Sequence, residues 1–535
     1  MIIKRRLLLA GLALSLALLI TLSGLFILAP YRNLDVLIAN GMVVDGFGGQ
    51  PYVCDVAIRD GKIIAIGRWQ FLFSQPKLYI DARGKIVAPG FIDVHTHVEP
   101  NLPASGPFRP ANFLRQGVTT LITGNCGRSR VDIGDLFKGL ENNGSYINVA
   151  TLIGHNSIRQ QVMGQTSRRP TPNEITRMQD LVTQAIMDGA LGLSSGLCYV
   201  PGRFAEIDEI VSLAKVAAQH DGLYVSHIRN EGRNGIEAIN EALEVGRSSG
   251  AATHISHFKS SGPLQWHGIE GRLRLIDDAR EDGQQVTIDV YPYDRSSTTT
   301  DVLLPDRVLE ENRSGLRKVF RDQQARKQLH AEIMAKLKQD GWSNLRHVLL
   351  ASGHSTWIGR TLAEAPRSAS GMDGQVENLI DVSLRGGAQA IYMDMHESDV
   401  DRVVVSPYCV FGTDSSVRDP TALYKPHPRG CGTFPRIFRR YVREAKLLEL
   451  SQAIYKTSAL AADIFGLENR GRLRAGDWAD IVIFDLENIK DQADYEHPFA
   501  EPSGIDYVVV NGVVAVDHGN LTGNAPSGLP LRKKK

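Results

Sequence analysis

The sequence is short of cysteine, with five (Cys54, Cys126, Cys198, Cys409 and Cys431) in 535 residues. The number is odd and no paired-motif spacing is present, so no disulfide framework is legible and at least one thiol or thiolate stays free. It also lacks an excess charge of either sign: 60 basic residues face 59 acidic ones, for a net charge of +1. That balance excludes a global field favouring nucleic acid. Basic residues cluster only at the ends, in Lys4-Arg5-Arg6 and Arg532-Lys533-Lys534-Lys535, the latter read as a solvated tail.

What is present is the composition of a globular enzyme, 43% hydrophobic and 22% charged, long enough for a large barrel with an accessory domain. An apolar run from Leu7 to Ala29 follows the first basic cluster and is long enough to span a bilayer as a helix. The reading favours an uncleaved anchor over residues 1–31, with the chain from about residue 32 outside the cytoplasm, in the periplasm if the cell is Gram-negative. Cleavage would instead make the protein secreted.

Residues 32–87 and 466–520 both read as short strands punctuated by turns such as Asn40-Gly41, Asp60-Gly61 and Asn511-Gly512. They predict a small β-sandwich assembled from both ends of the chain, followed by a basic tail over 521–535. Between them, apolar runs recur at about 88–95, 118–123, 147–153, 190–194, 223–227, 252–257, 286–291 and 407–413. Helical patterns separate most of them, the clearest starting at the capping box Thr171-Pro172-Asn173-Glu174. Eight strands alternating with helices predict a (β/α)8 barrel over 88–465, with an insertion at about 298–405 placed over its mouth as a lid.

Barrels of this kind carry their chemistry at the C-terminal ends of the strands. Here those ends hold His95 and His97, Cys126, His155, Ser194-Ser195, His227, His257, Tyr291 and Asp414. His95 and His97 share one face of a strand by the two-residue period. Neutral imidazole and thiolate are ligands for a divalent metal, and six candidates (His95, His97, Cys126, His227, His257 and Asp414) exceed what one ion needs. Asp414 can both touch a metal and accept the proton of an activated water, later returning it to a leaving amine. Cys54, Cys198, Cys409 and Cys431 read as packing residues, and His155 takes no assigned role.

Pro89-Gly90-Phe91-Ile92-Asp93-x-His95-Thr96-His97, His227, His257, Asp414 and the closing Gly471-Arg472-Leu473-Arg474-Ala475-Gly476-Asp477 together resemble the amidohydrolase superfamily. Gly124-Asn125-Cys126-Gly127, Ser226-His227-Ile228-Arg229-Asn230-Glu231-Gly232, Asp289-Val290-Tyr291-Pro292-Tyr293 and His427-Pro428-Arg429 narrow the likeness to the D-aminoacylase, or N-acyl-D-amino-acid deacylase, group. The resemblance implies one or two Zn2+ ions, with Cys126, His227 and His257 forming the tighter site and His95, His97 and Asp414 the weaker. Many relatives use a bridging carbamylated lysine; no lysine lies between Lys138 and Lys215, which agrees with the cysteine variant. It also implies that Lys259, Tyr291, Ser297 and Arg429 hold a substrate carboxylate and that Met395 lines a side-chain pocket. The expected reaction is hydrolysis of N-acyl-D-amino acids or D-residue dipeptides by metal-activated water, with Asp414 as general base and then acid. The expected partners are that small substrate and, through the anchor, a membrane. A cyclic-amide hydrolase of the same superfamily is the alternative; a non-catalytic scaffold is a further one, disfavoured because all six candidate ligands are present. Val98-Glu99 and Ser415-Ser416 depart from the group's usual pattern.

Overall fold

A computed structural model describes residues 33–68, 74–309 and 322–534. Eight parallel strand positions form the barrel: β1 (Phe91–Asp93), β2 (Val118–Thr123), β3 (Asn148–Thr151, resuming at Ile153–Gly154), β4 (Gly192–Gly196), β5 (Leu223–His227), β6 (Thr253–Ile255), β7 (Val286–Val290) and β8 (Cys409–Phe411). Thr151 and Leu152 carry the ladder across the break in β3, because Leu152 N donates to Thr123 O and Leu191 N to Thr151 O. Closure comes from Val94 N donating to Phe411 O (3.4 Å) and from Asp414 N and His97 N reaching His95 O and Ser415 O, both at 2.8 Å. Every residue of β2, β4 and β5 is buried, as expected for strands covered on both faces.

The helices follow the local signals. Thr171 caps Pro172–Met187 by accepting from Glu174 N, while the Glu174 carboxylate accepts from Thr171 N at 2.8 Å. Helices Ile207–Gln219, Gly235–Ser249 and Ile269–Glu281 follow β4, β5 and β6 and turn apolar stripes inward.

Beside the barrel lies one nine-stranded sheet built from both chain ends, in which Ile481–Phe484 pairs antiparallel with Ile86–Pro89. Between β7 and β8, strands Ser296–Thr299, Val348–Leu350 and Gln389–Tyr392 make an antiparallel sheet. Helices Gln323–Gln339 and Met372–Leu384 pack on it around their own core, which includes Leu329, Ile333, Val376 and Leu379.

Two expectations are corrected. No helix among the described residues is long and apolar enough to cross a membrane. The N-terminal transmembrane helix, the membrane as a partner and the extracytoplasmic location inferred from them therefore have no support in the fold; the run that suggested them lies outside the described residues. The basic tail is not a free solvated end either. Gly528 N donates to Ser145 O at 2.7 Å, Leu531 N to Val149 O at 2.8 Å and Lys533 N to Gly189 O at 2.9 Å, and Arg532 pairs with Glu141 at 2.6 Å. Backbone carbonyls at the start of β3 and just before β4 give the segment partners that water would otherwise supply.

Candidate metal centre

The strand ends converge. The Cys126 Sγ lies 3.3 Å from His95 Nε2, 3.4 Å from His227 Nδ1 and 3.7 Å from His257 Nε2. Asp414 completes the other side, with Oδ1 at 3.0 Å from His97 Nε2 and 3.7 Å from His95 Nε2. Ligand atoms of His95, Cys126 and His257, and separately of His95, His97 and Asp414, lie within 4.8 Å of one another. Thus all six candidates chosen from the sequence meet in one place.

Local backbone geometry aims them. Cys126, His257 and Asp414 all have positive φ (53°, 35° and 46°), a region non-glycine residues seldom occupy. Such strain persists only where surrounding structure enforces it, and it clusters at functional sites. Two glycines make the close approach possible. A Cβ at Gly412 would sit 2.4 Å from His95 Cβ, and one at Gly196 would sit 2.1 Å from Cys126 O.

Electrostatics favour a cation. Burial alone would raise the Cys126 thiol, but the imidazoles of His95 and His227 outweigh it and hold the group well below the ordinary thiol range. For Asp414, burial is likewise overcome by the Arg429 guanidinium, 2.9 Å away, and by His97, so the carboxyl stays ionised. A buried thiolate ringed by three imidazoles, next to a carboxylate and a fourth imidazole, is the donor set zinc selects.

The predicted substrate residues gather around Tyr291. The Arg429 guanidinium lies 4.5 Å from its ring centroid, the Lys259 ammonium 5.6 Å, and the Met395 sulfur 3.8 Å from its hydroxyl. Arg429 also donates to Ser297 O at 3.3 Å. Arg429 is only 4% exposed, yet its Nε and Nη1 have no hydrogen-bond partner. Lys259 is held at 2.5 Å by Glu231. Of these groups, Arg429 and Ser297 line a cavity of about 1230 Å³, together with His97, Cys126 and Asp414 and with Thr298, Thr299 and Gly386–Gln389 of the inserted unit.

Four neighbours stand behind the ligands: Asp289, Glu231 and His254, which the sequence left without a role, and Cys198, which it read as packing. Asp289 reaches His95 Nδ1, Glu231 reaches His257 Nδ1 at 2.9 Å, and the Cys198 Sγ sits 2.9 Å from His227 Nε2. His254 braces Asp289 from behind at 3.0 Å. The alternating strand period could have flagged Asp289, two residues before Tyr291; nothing local flags Cys198. His155 stands apart: its Nε2 lies 2.8 Å from Glu209, which also pairs with Arg159 at 3.0 Å in a buried cluster.

The chain belongs to the amidohydrolase family, whose model matches residues 79–349 and 408–516. It is 35% identical to the N-acyl-D-glutamate deacylase of Alcaligenes xylosoxydans xylosoxydans over 90% of this chain and 93% of that one. It is 32% identical to the D-aminoacylase of the same organism, over 91% and 96%. Among solved structures it superimposes on N-acyl-D-glutamate deacylase from Bordetella bronchiseptica, complexed with zinc and a phosphonate mimic of the tetrahedral intermediate (TM-score 0.79, 33% identity, 94% of this chain and all of that one). A D-hydantoinase from Thermus sp. shares the fold alone, at 16% identity and a TM-score of 0.54.

Proposed function

We propose that this chain is a zinc-dependent hydrolase of linear amides that removes the acyl group from N-acyl-D-amino acids. The observation that carries the reading is the joining of the thiolate–imidazole cluster to Arg429, a buried guanidinium that lines the same cavity, pairs with Asp414 and leaves two N–H donors unmet. The first is a cation site; the second wants a planar anion, which an amino acid's carboxylate provides. The deacylases at 32–35% identity over nine-tenths of the chain support the same class, while the hydantoinase likeness carries only the fold.

Cys126, His227 and His257 would hold one zinc ion, and His95, His97 and Asp414 a second. Zinc bound there supplies Lewis acidity, polarising the amide carbonyl and making water acidic enough to ionise near neutral pH. The chain's own groups do the rest. Arg429, Lys259 and Tyr291 fix the substrate carboxylate, Ser297 borders it, and Met395 bounds the side chain. Asp414 Oδ1, ionised beside His97, takes the proton from the attacking water and delivers it to the departing nitrogen. The products are a carboxylate and a D-amino acid.

Hydrolysis of paired N-acetyl-D- and N-acetyl-L-amino acids by the zinc-loaded chain tests this, with a hydantoin as control. Turnover of the D series is expected. Turnover of the cyclic amide in preference to both linear series would sink the reading.

A further inference from the structure

Resting on the reading of the cluster as a zinc centre, we propose that Asp289, braced by His254, is the positioning residue that sets which nitrogen of His95 faces the metal. The His95 imidazole presents Nε2 to the site, 3.3 Å from Cys126 Sγ and 3.7 Å from Asp414 Oδ1. A neutral imidazole can ligate through Nε2 only if its proton sits on Nδ1, and a fully buried Nδ1–H needs an acceptor. Asp289 Oδ2, on β7, lies 3.3 Å away and provides it.

That carboxylate is itself fixed on every side. The same Oδ2 lies 3.0 Å from His254 Nε2, and His254 Nδ1 lies 2.8 Å from Thr287 Oγ1. Its Oδ1 accepts from the backbone N–H of His257 at 2.9 Å, and its carbonyl accepts from Phe258 N at 2.8 Å. One side chain therefore orients a ligand ring just beyond β1 and pins the backbone of a second ligand just beyond β6, where φ is 35°. Asp289 is 1% exposed and both its carboxylate oxygens are taken up by His95, His254 and the His257 N–H, which leaves it a positioning role and not direct contact with substrate. Partners of this kind orient metal-binding histidines, and losing one typically costs 10–100-fold in metal affinity.

The test compares zinc affinity, by chelator competition, for the full chain and its Asp289→Asn variant, alongside the melting temperature of each metal-free protein. Asparagine preserves shape but can offer an N–H to His95 Nδ1, driving the ring to the tautomer that cannot ligate through Nε2. The expected result is at least tenfold weaker zinc binding, with the metal-free melting temperature close to that of the parent. Equal zinc affinity in the two proteins would overturn the assignment, whatever happened to stability. Should Asp289→Asn not fold, His254→Gln leaves the carboxylate and removes its brace. A several-fold loss of zinc affinity is then expected, and parental affinity overturns the proposal. A parent chain that takes up no zinc defeats the underlying reading instead, so the two failures are distinguishable.

Discussion

At the scale of single residues, the site depends on a few atoms placed within tenths of an ångström. Arg429 offers a planar fork, whereas lysine offers a point charge. Arg429→Lys should therefore lower kcat/KM for N-acetyl-D-amino acids by about tenfold or more, a hydrogen bond to a charged group being worth roughly 1.5–3 kcal/mol. On the corresponding amino acid amides, which lack the carboxylate, parent and variant should be equally poor; steady-state kinetics on both series checks this. Gly412 is the second sensitive point. A methyl there would collide with His95 Cβ at 2.4 Å, so β8 must move away from β1. Gly412→Ala should cost about 1–3 kcal/mol, the usual price of overpacking. It should also reduce bound zinc, measured by metal analysis of the purified variant, because His95 and Asp414 flank the same seam.

At the scale of elements, a buried charge cluster ties the end of β3 to the helix Ile207–Gln219. Glu209, 4% exposed, faces His155 and the Arg159 guanidinium. Burial pushes its carboxyl up, but those two partners outweigh burial and hold it below the usual range. Because its folded pKa lies below the unfolded value of about 4.3, its stabilisation is present above that pH and is lost as pH falls through the folded value. Glu209→Gln should flatten this acid limb of the stability profile. Glu209→Ala, which leaves Arg159 buried and uncompensated, should cost about 3–5 kcal/mol at neutral pH. Urea unfolding between pH 3 and 7 reads both. Neither change should alter the zinc content, since the cluster touches none of the six candidate ligands.

At the scale of the whole molecule, three bodies of structure share one chain: barrel, terminal sheet and inserted unit. Asp480 fastens the sheet to the barrel, paired with Arg470 and accepting from Asn148 Nδ2 at 3.1 Å. The C-terminal segment then crosses back, with Asn511 Nδ2 donating to Ser527 O at 2.6 Å and Leu529 N to Asn148 Oδ1 at 3.0 Å. Deleting residues after Gly523 should therefore lower the free energy of unfolding, read from urea titration, by several kcal/mol, at about 0.5–1.5 kcal/mol net per hydrogen bond. Turnover by the remaining folded protein should be unchanged, because the tail approaches the start of β3 and the cavity opens at the opposite ends of the strands.

Much of this was written in the sequence. The strand–helix alternation, the Thr171 cap and the residue types at strand ends depend on local propensity and on the two-residue strand period, which any short window reveals. They singled out His95, His97, Cys126, His227, His257 and Asp414 before any distance was known. The sequence could not supply what depends on several strands at once. Positive φ at Cys126, His257 and Asp414 carries no glycine signature, since the surrounding backbone enforces it. Asp289 became legible as a brace only when β7 was laid between β6 and β8, and Cys198 only when a loop brought it to His227. The tail's attachment likewise needed a partner 382 positions away, Val149 for Leu531. Composition chose the chemistry; closing the barrel chose which atoms would face one another.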